Sequence, residues 1–461
     1  MALSATCVFE VRTGGSDTNG GGFDPGVSAP GTDFSQQNSA QTTFSDLVIG
    51  NPTTTQLTSA AHPFGVTSPG NFINITGGTG FTTGRYEILS VSGTTATMDR
   101  SVGTAGSTAG TGNLGGAFAS PGAASNVMST GGQTMFVKQG TYSINSSSEG
   151  VSGGGIFTGN VLGASETLPI LIIGYNTTRT VLNTDVGPTI NQAVNSINGI
   201  DIQPFTVFRN FLFTNTNSFA GGTGISSSSR NSIVIENVQI SNWNLGILIS
   251  GSNWHLYGCY VTGCTDVGYR LFTGNTSCTF VECTSDGNGL NTGLGGFRLG
   301  STCTLIQCIS ANNNGPGFNM ATDNAQDCIL YQCTAYNNQG SSGSGYEDNG
   351  GRTIYINCLG WGNNLNDGEF RDNADVTPNY LMRLIGCAAF NFTSASITST
   401  SNLTGFVFLT ANPFNNPAGK DFSLNGVVGG GSACKNAGYP QRYYGIPTVS
   451  FFDIGAAQHN G

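Results

Sequence analysis

Apolar residues in this chain come in runs of three to five, separated by clusters of Gly, Asn and Ser. Within the runs, apolar and polar positions alternate, which marks strands with one face turned inward. No repeating unit holds ten residues of helical periodicity. The runs also recur at a fixed interval. "CTFVECTSDGN" from Cys278, "CTLIQCISANN" from Cys303 and "CILYQCTAYNN" from Cys328 are near-copies. Aligning the second cysteine of each line gives Cys259, Cys283, Cys308, Cys333, Cys358 and Cys387, with gaps of 24, 25, 25, 25 and 29. Two earlier lines, "FRNFLFTN" and "IENVQISN", carry Asn210 and Asn237 at the aligned place. A constant period in the twenties is the mark of a solenoid. The L-x-x-L-x-L line of leucine-rich repeats is missing. The prediction is therefore an all-β fold, a right-handed parallel β-helix with three short strands and three turns per coil. Dividing residues 134 to 455 by the period predicts about thirteen turns of about 25 residues.

In such a coil each strand pairs with its copy about 4.8 Å away, so like residues stack into columns. The recurring Gly-aromatic lines "GYRL", "GFRL", "GFNM", "GYED" and "GEFRD" predict an inward aromatic column of Tyr269, Phe297, Phe318, Tyr346 and Phe370. Leu271, Leu299 and Met320 form an aliphatic column. The cysteines read as small buried hydrophobes in a ladder, too far apart for a relaxed disulfide, and are expected as free thiols. A zinc site is the competing reading, but C-x₄-C here lacks histidine partners.

The period does not cover the whole chain. Residues 1–118 lack it, and "NFINITG", "RYEILSV" and "TATMDR" predict strands of a small N-terminal β module. Residues 119–390 are assigned to the parallel β-helix, opened by a short helix with Ser120 as N-cap and Pro121 at its first position. Residues 391–461 hold the last coils and an irregular C-terminal cap.

Composition narrows the function. Only 9% of the 461 residues are charged, 70 are glycine, and 37% are hydrophobic, so the surface is built from Asn, Ser, Thr and Gly. A net charge of −10, with scattered arginines and three lysines, disfavours nucleic acid. "LPILIIG" at 168–174 is too short to cross a bilayer, so no membrane insertion is expected. The opening "MALSATCVFEVRTGG" has neither a basic nor an apolar leader region, which leaves the protein without an expected secretion signal. "GTGNLG" at 110–115 lacks the strand–helix context of a dinucleotide site. His62, His255 and His459 each stand alone, and no cofactor or metal is expected.

Acids crowd into 323–375, with Asp323, Asp327, Glu347, Asp348, Asp367, Glu369, Asp372 and Asp375. If Tyr346 stacks on Phe370, Glu347 lies beside Arg371 and Asp348 beside Asp372. Two neighbouring carboxylates suit glycoside hydrolysis, so Glu347, Asp348 and Asp372 are the candidate catalytic residues. The competing reading is an ion pair, Glu347 with Arg371, and turn aspartates. Arg298 and Arg371, in one outward column with Arg270, and Trp361 near a turn are candidate glycan contacts. Trp254, in the Cys278 column, reads as core.

The coil over about 130–460 resembles the right-handed parallel β-helix proteins of the pectate-lyase-like superfamily. Its closing lines "GKDFSLNG", "GSACKNAG" and "FDIGAAQ" are similar to the C-terminal signature of such repeat proteins. The opening "FEVRTGGSDTNGGGF" with "TDFSQQ" resembles the start of β-helix proteins encoded by tailed phages. The resemblance implies a virion protein, that is, a tailspike, fibre or capsid-surface appendage. It implies a homotrimer that binds host-surface polysaccharide and meets other virion proteins through the N-terminal region. The family's lyase motifs are absent, so no catalytic residue is carried over. A glycan-degrading hydrolase or lyase on the same fold, and a purely architectural decoration, stay open as alternatives.

Overall fold

A computed structural model describes residues 3–144, 163, 165–179, 187–192, 198–216, 221–227, 229–272, 276–291, 293–320, 326–340, 343–349, 352–364, 369–372, 382–390, 392–393, 403–439 and 453–456. The chain divides into two compact units, 1–194 with 200–212, and 195–199 with 213–461.

The first unit contains a closed six-stranded barrel, in the order Thr42–Ile49, Gln56–Thr58, Thr95–Met98, Gly84–Ser92, Phe72–Gly77, Gly110–Leu114. The predicted strands at 71, 85 and 95 are all members. So is "GTGNLG", which forms the strand Gly110–Leu114. Phe44, Leu47, Ile49, Leu57, Ile73 and Ile88 fill the barrel. The strand Val8–Val11 leaves this module and pairs in parallel with Thr134–Lys138, which pairs in turn with Ile170–Tyr175. The helix forms over Pro121–Val127 as expected. The Ser120 hydroxyl accepts from the Ala123 amide at 3.2 Å, satisfying one of the orphan donors of the first turn.

The second unit is a parallel β-solenoid with three faces. A first face stacks Trp254–Tyr257, Thr279–Val281, Thr304–Ile306, Gln326–Tyr331, Arg352–Ile356 and Arg383–Ile385. A second stacks Tyr260–Thr262, Thr284–Asp286, Ile309–Ala311, Thr334–Tyr336, Leu359–Trp361 and Ala388–Ala389. A third stacks Thr223–Ser226, Leu245–Ile249, Val267–Leu271, Phe297–Leu299, Phe318–Met320, Tyr346–Asp348, Phe370–Asp372 and Phe392–Thr393. The solenoid makes about seven turns, not thirteen. The expected count assumed one unbroken period from 134 to 455. Residues ahead of the solenoid repeat at a wider interval, since Leu171 faces Thr134 and Ile170 faces Thr206. After Phe408 the chain turns to an antiparallel hairpin, Phe414–Asn416 with Asp421–Leu424, and a short helix, Gly431–Cys434.

The columns form as the period dictates. The ring centroids of Tyr269 and Phe297 lie 4.4 Å apart, Phe297 and Phe318 5.0 Å, Phe318 and Tyr346 5.1 Å, Tyr346 and Phe370 4.5 Å, all stacked and nearly parallel. Leu256, Phe280, Leu305, Leu330, Tyr355 and Leu384 fill the first face in register, each fully buried. All twelve cysteines are free and buried. Burial pushes the thiols of Cys259, Cys283, Cys333 and Cys387 up, well above the usual range.

Each corner between the first and second faces is one left-handed residue just ahead of the column cysteine: Gly258, Glu282, Gln307, Gln332, Asn357, Gly386. This corrects the alignment of Asn237. Gln239 faces Tyr260, so Asn237 matches Gly258 at the corner, and Val238 faces Cys259. Asn237 itself has φ 50°. Asparagine tolerates that backbone conformation better than most residues, which is why it recurs there.

Candidate functional site

The third face points a column of polar side chains outward. In register it reads Arg270, Arg298, Asn319, Glu347 and Arg371. These residues point out because the aromatic before each one points in. Arg270 Nη1 lies 3.6 Å from the Asp266 carboxylate, and its guanidinium stands 5.4 Å from the ring of Phe272, which is 42% exposed. Among the described residues, no carboxylate lies within salt-bridge distance of Arg298. Partial burial, then the adjacent Arg270 charge, lowers the Arg298 pKa. Asn319 donates to Glu347 Oε2 at 3.3 Å and accepts from the Asn349 amide group at 3.0 Å.

The sequence-derived pairings hold along the backbone: Glu347 faces Arg371 and Asp348 faces Asp372. Glu347 and Asp348 do not themselves form a pair of carboxylates around one substrate. Glu347 and Asp348 are successive strand residues and point to opposite sides. Asp348 continues the inward column of Leu299 and Met320 and is only 1% exposed. Glu347, on the outward side, is 6% exposed. The side chain of Asp372, and Asp323, Asp367 and Asp375 altogether, lie outside the described residues, as does His459.

Trp361 does not join Arg298 and Arg371. It sits on the second face, in register with Tyr336, and its ring meets Phe390 at 5.6 Å. That face is covered by the C-terminal hairpin. Phe414 and Phe422 pack edge-on to Tyr336, and Trp361 joins the same cluster. Lys420 Nζ reaches Asp286 at 3.0 Å on a lower rung. Trp254 is core, with its indole donating to Arg230 O at 2.8 Å.

A feature that the repeat analysis passed over lies inside the coil. Asn288, Asn313, Asn338 and Asn363 form a buried ladder. Each Nδ2 donates to the next Oδ1, at 3.2 Å from Asn288 and 2.8 Å from Asn313 and Asn338. Each Oδ1 also accepts a backbone amide from the rung before, of Cys264, Asn288, Asn313 and Asn338 in turn. The ladder ends on Glu369, which accepts from Asn363 Nδ2. Burial raises the Glu369 pKa to about 7, against the opposing pull of the Asn363 hydrogen bond. The signal was present in the sequence, since these asparagines fall five residues after Cys283, Cys308, Cys333 and Cys358.

No family model matches this chain, and no curated protein matches it. Among solved structures it is similar to the pectate lyase Pel9A, at 16% identity over 75% of this chain and 92% of that chain, with a TM-score of 0.41. It is similar to a rhamnogalacturonan lyase at 13% identity over 72% and 92%, with a TM-score of 0.43. The tailspike protein gp49 from Pseudomonas phage LKA1 matches at 14% identity over 78% of this chain but 54% of its own, with a TM-score of 0.30. The strand pairings of the chain itself establish its class: a parallel β-solenoid accompanied by a small closed β-barrel.

Proposed function

We propose that this protein is a phage virion appendage, a tailspike, fibre or capsid-surface protein, that binds host-surface glycans along the third face of its solenoid. The observation that carries the binding reading is the in-register pair Arg270 and Arg298, beside the exposed ring of Phe272. Guanidinium groups and an exposed ring are what a sugar chain needs, since the first offer several fixed donors and the second stacks on a pyranose. The paired positive charge on a chain of net charge −10 favours a sugar bearing carboxylate or sulfate. The virion assignment is supported by the opening of the sequence, which resembles the start of β-helix proteins encoded by tailed phages. The N-terminal module would then meet other virion proteins. The same resemblance implies a homotrimer.

Passing the purified protein over immobilised host polysaccharide tests the reading. The expected result is retention without new reducing ends or unsaturated sugar, weakened at least tenfold in the double variant Arg270→Ala, Arg298→Ala. Retention unaffected by that variant, or none by any host glycan, overturns it. New reducing ends would transfer the protein to the glycan-degrading class. Antibody labelling of virions in the electron microscope locates the protein on the particle.

A further inference from the structure

Cys7, Asp24 and Glu87 come from three separate segments of the first unit. Cys7 precedes the strand Val8–Val11, Asp24 follows the strand Gly22–Phe23, and Glu87 lies in the barrel strand Gly84–Ser92. The antiparallel pairing of Val8 with Phe23 sets Cys7 beside Asp24. The thiol and one oxygen of each carboxylate lie within 4.8 Å of one another, and Cys7 Sγ is 4.0 Å from Glu87 Oε2. All three side chains are buried, at 0%, 3% and 3% exposure.

From this cluster we propose a divalent cation site of zinc type, with Cys7, Asp24 and Glu87 as its protein ligands. Two buried carboxylates side by side are costly unless a positive charge or a shared proton compensates them. Among the described residues, no lysine or arginine forms an ion pair with Asp24 or Glu87. Arg100 is committed to Asp99 and to the carbonyl of Arg85. In a tetrahedral site, zinc–sulfur and zinc–oxygen bonds of about 2.3 and 2.1 Å hold their donors about 3.6 Å apart. The 4.0 Å between Cys7 Sγ and Glu87 Oε2 is a few tenths of an ångström longer, so the ligands close inward on the ion. A thiolate with two carboxylates selects zinc or a neighbouring transition metal over calcium and magnesium, which prefer all-oxygen shells. The supporting contacts are in place. Asp24 Oδ1 accepts from the Thr6 hydroxyl at 2.6 Å and the Gly26 amide at 2.7 Å, which fixes the carboxylate beside Glu87, with which it shares a hydrogen bond. Binding displaces the thiol proton and the proton shared by Asp24 and Glu87 to solvent, and ties the segment before Val8–Val11 to the barrel.

The full chain, stripped with chelator and confirmed folded by circular dichroism, would be titrated with Co²⁺ and then Zn²⁺. The expected result is one equivalent bound per chain, with a thiolate-to-cobalt charge-transfer band that zinc displaces, and a higher melting temperature with zinc. Cys7→Ser should abolish the band, and Glu87→Gln should weaken binding at least tenfold. Folded wild-type protein that binds neither ion, or a band that persists in Cys7→Ser, overturns the site. The titration needs only the wild-type protein, so a variant that fails to fold leaves the first outcome decisive.

Discussion

Glu369 stands where the rungs below it carry glycine. The residue before each column aromatic is Gly268, Gly296, Gly317 and Gly345, and then Glu369 before Phe370. A Cβ on Gly317 would lie 2.7 Å from Asn338 Nδ2, and one on Gly345 2.8 Å from Asn363 Nδ2, so those positions leave room for the asparagine ladder. At 369 the ladder has ended and the space takes a carboxyl. Its folded pKa of about 7 lies above the usual glutamate value, so the folded state holds its proton longer than the unfolded state does. The stability this supplies is fully present below the unfolded value and is lost as pH rises through about 7. Urea unfolding of the wild type is expected to weaken by a few kcal/mol between about pH 5 and about pH 9. Glu369→Gln, which keeps the acceptor and removes the charge, should flatten this dependence. An equally steep profile in the variant would show that the carboxyl is not its source.

The asparagine ladder couples the rungs as an element. Asn338 donates to Ser310 O at 2.9 Å and to Asn363 Oδ1 at 2.8 Å, and accepts from Asn313. Asn338→Ala leaves buried partners on both sides unsatisfied and is expected to destabilise by about 3 kcal/mol. Asn338→Asp should cost more near neutral pH, because it sets a carboxylate oxygen against two acceptors, and it should recover partly in acid. Chemical denaturation of both variants at two pH values checks the order, and equal losses at every pH would remove the ladder's donor from the account. This element shows where sequence reading stopped. The aromatic and cysteine columns were legible because apolar residues at a fixed period have one physical use, burial. Asn at the same period has two, a turn or an internal hydrogen bond, and composition favoured the turn. The glycine of "GFNM" likewise marked only the head of a repeated line, although its role is the space it leaves beside Asn338. For the candidate site, register placed Glu347 beside Arg371 and Arg270 beside Arg298, but Trp361 lost its place to a contact no local pattern encodes, the hairpin folded over the second face.

At the scale of the molecule, the period was a sound guide to pairing and a poor guide to extent. It stays near 25 only while successive rungs need the same corners, and it is lost where paired strands lie further apart in sequence, as from Thr134 to Leu171, or where the chain turns antiparallel after Phe408. Within the solenoid, repeats contact only their neighbours, yet the shared columns make each rung depend on the next. The cysteines report on that dependence. Cys278, Cys303 and Cys328 form one buried column, and Cys259 through Cys387 another, all as thiols. Thiols with no exposure should not react with a disulfide reagent while the coil is intact. The native protein is therefore expected to titrate no thiol, and the denatured protein all twelve without prior reduction. Along a guanidinium series, release of the column thiols should coincide with loss of the β signal in circular dichroism. Fewer than twelve thiols in the denatured chain would reveal disulfides and contradict the ladder. Release of a few thiols well before the main transition would instead show that rungs open singly, and that the stacked columns do not bind the solenoid into one cooperative body.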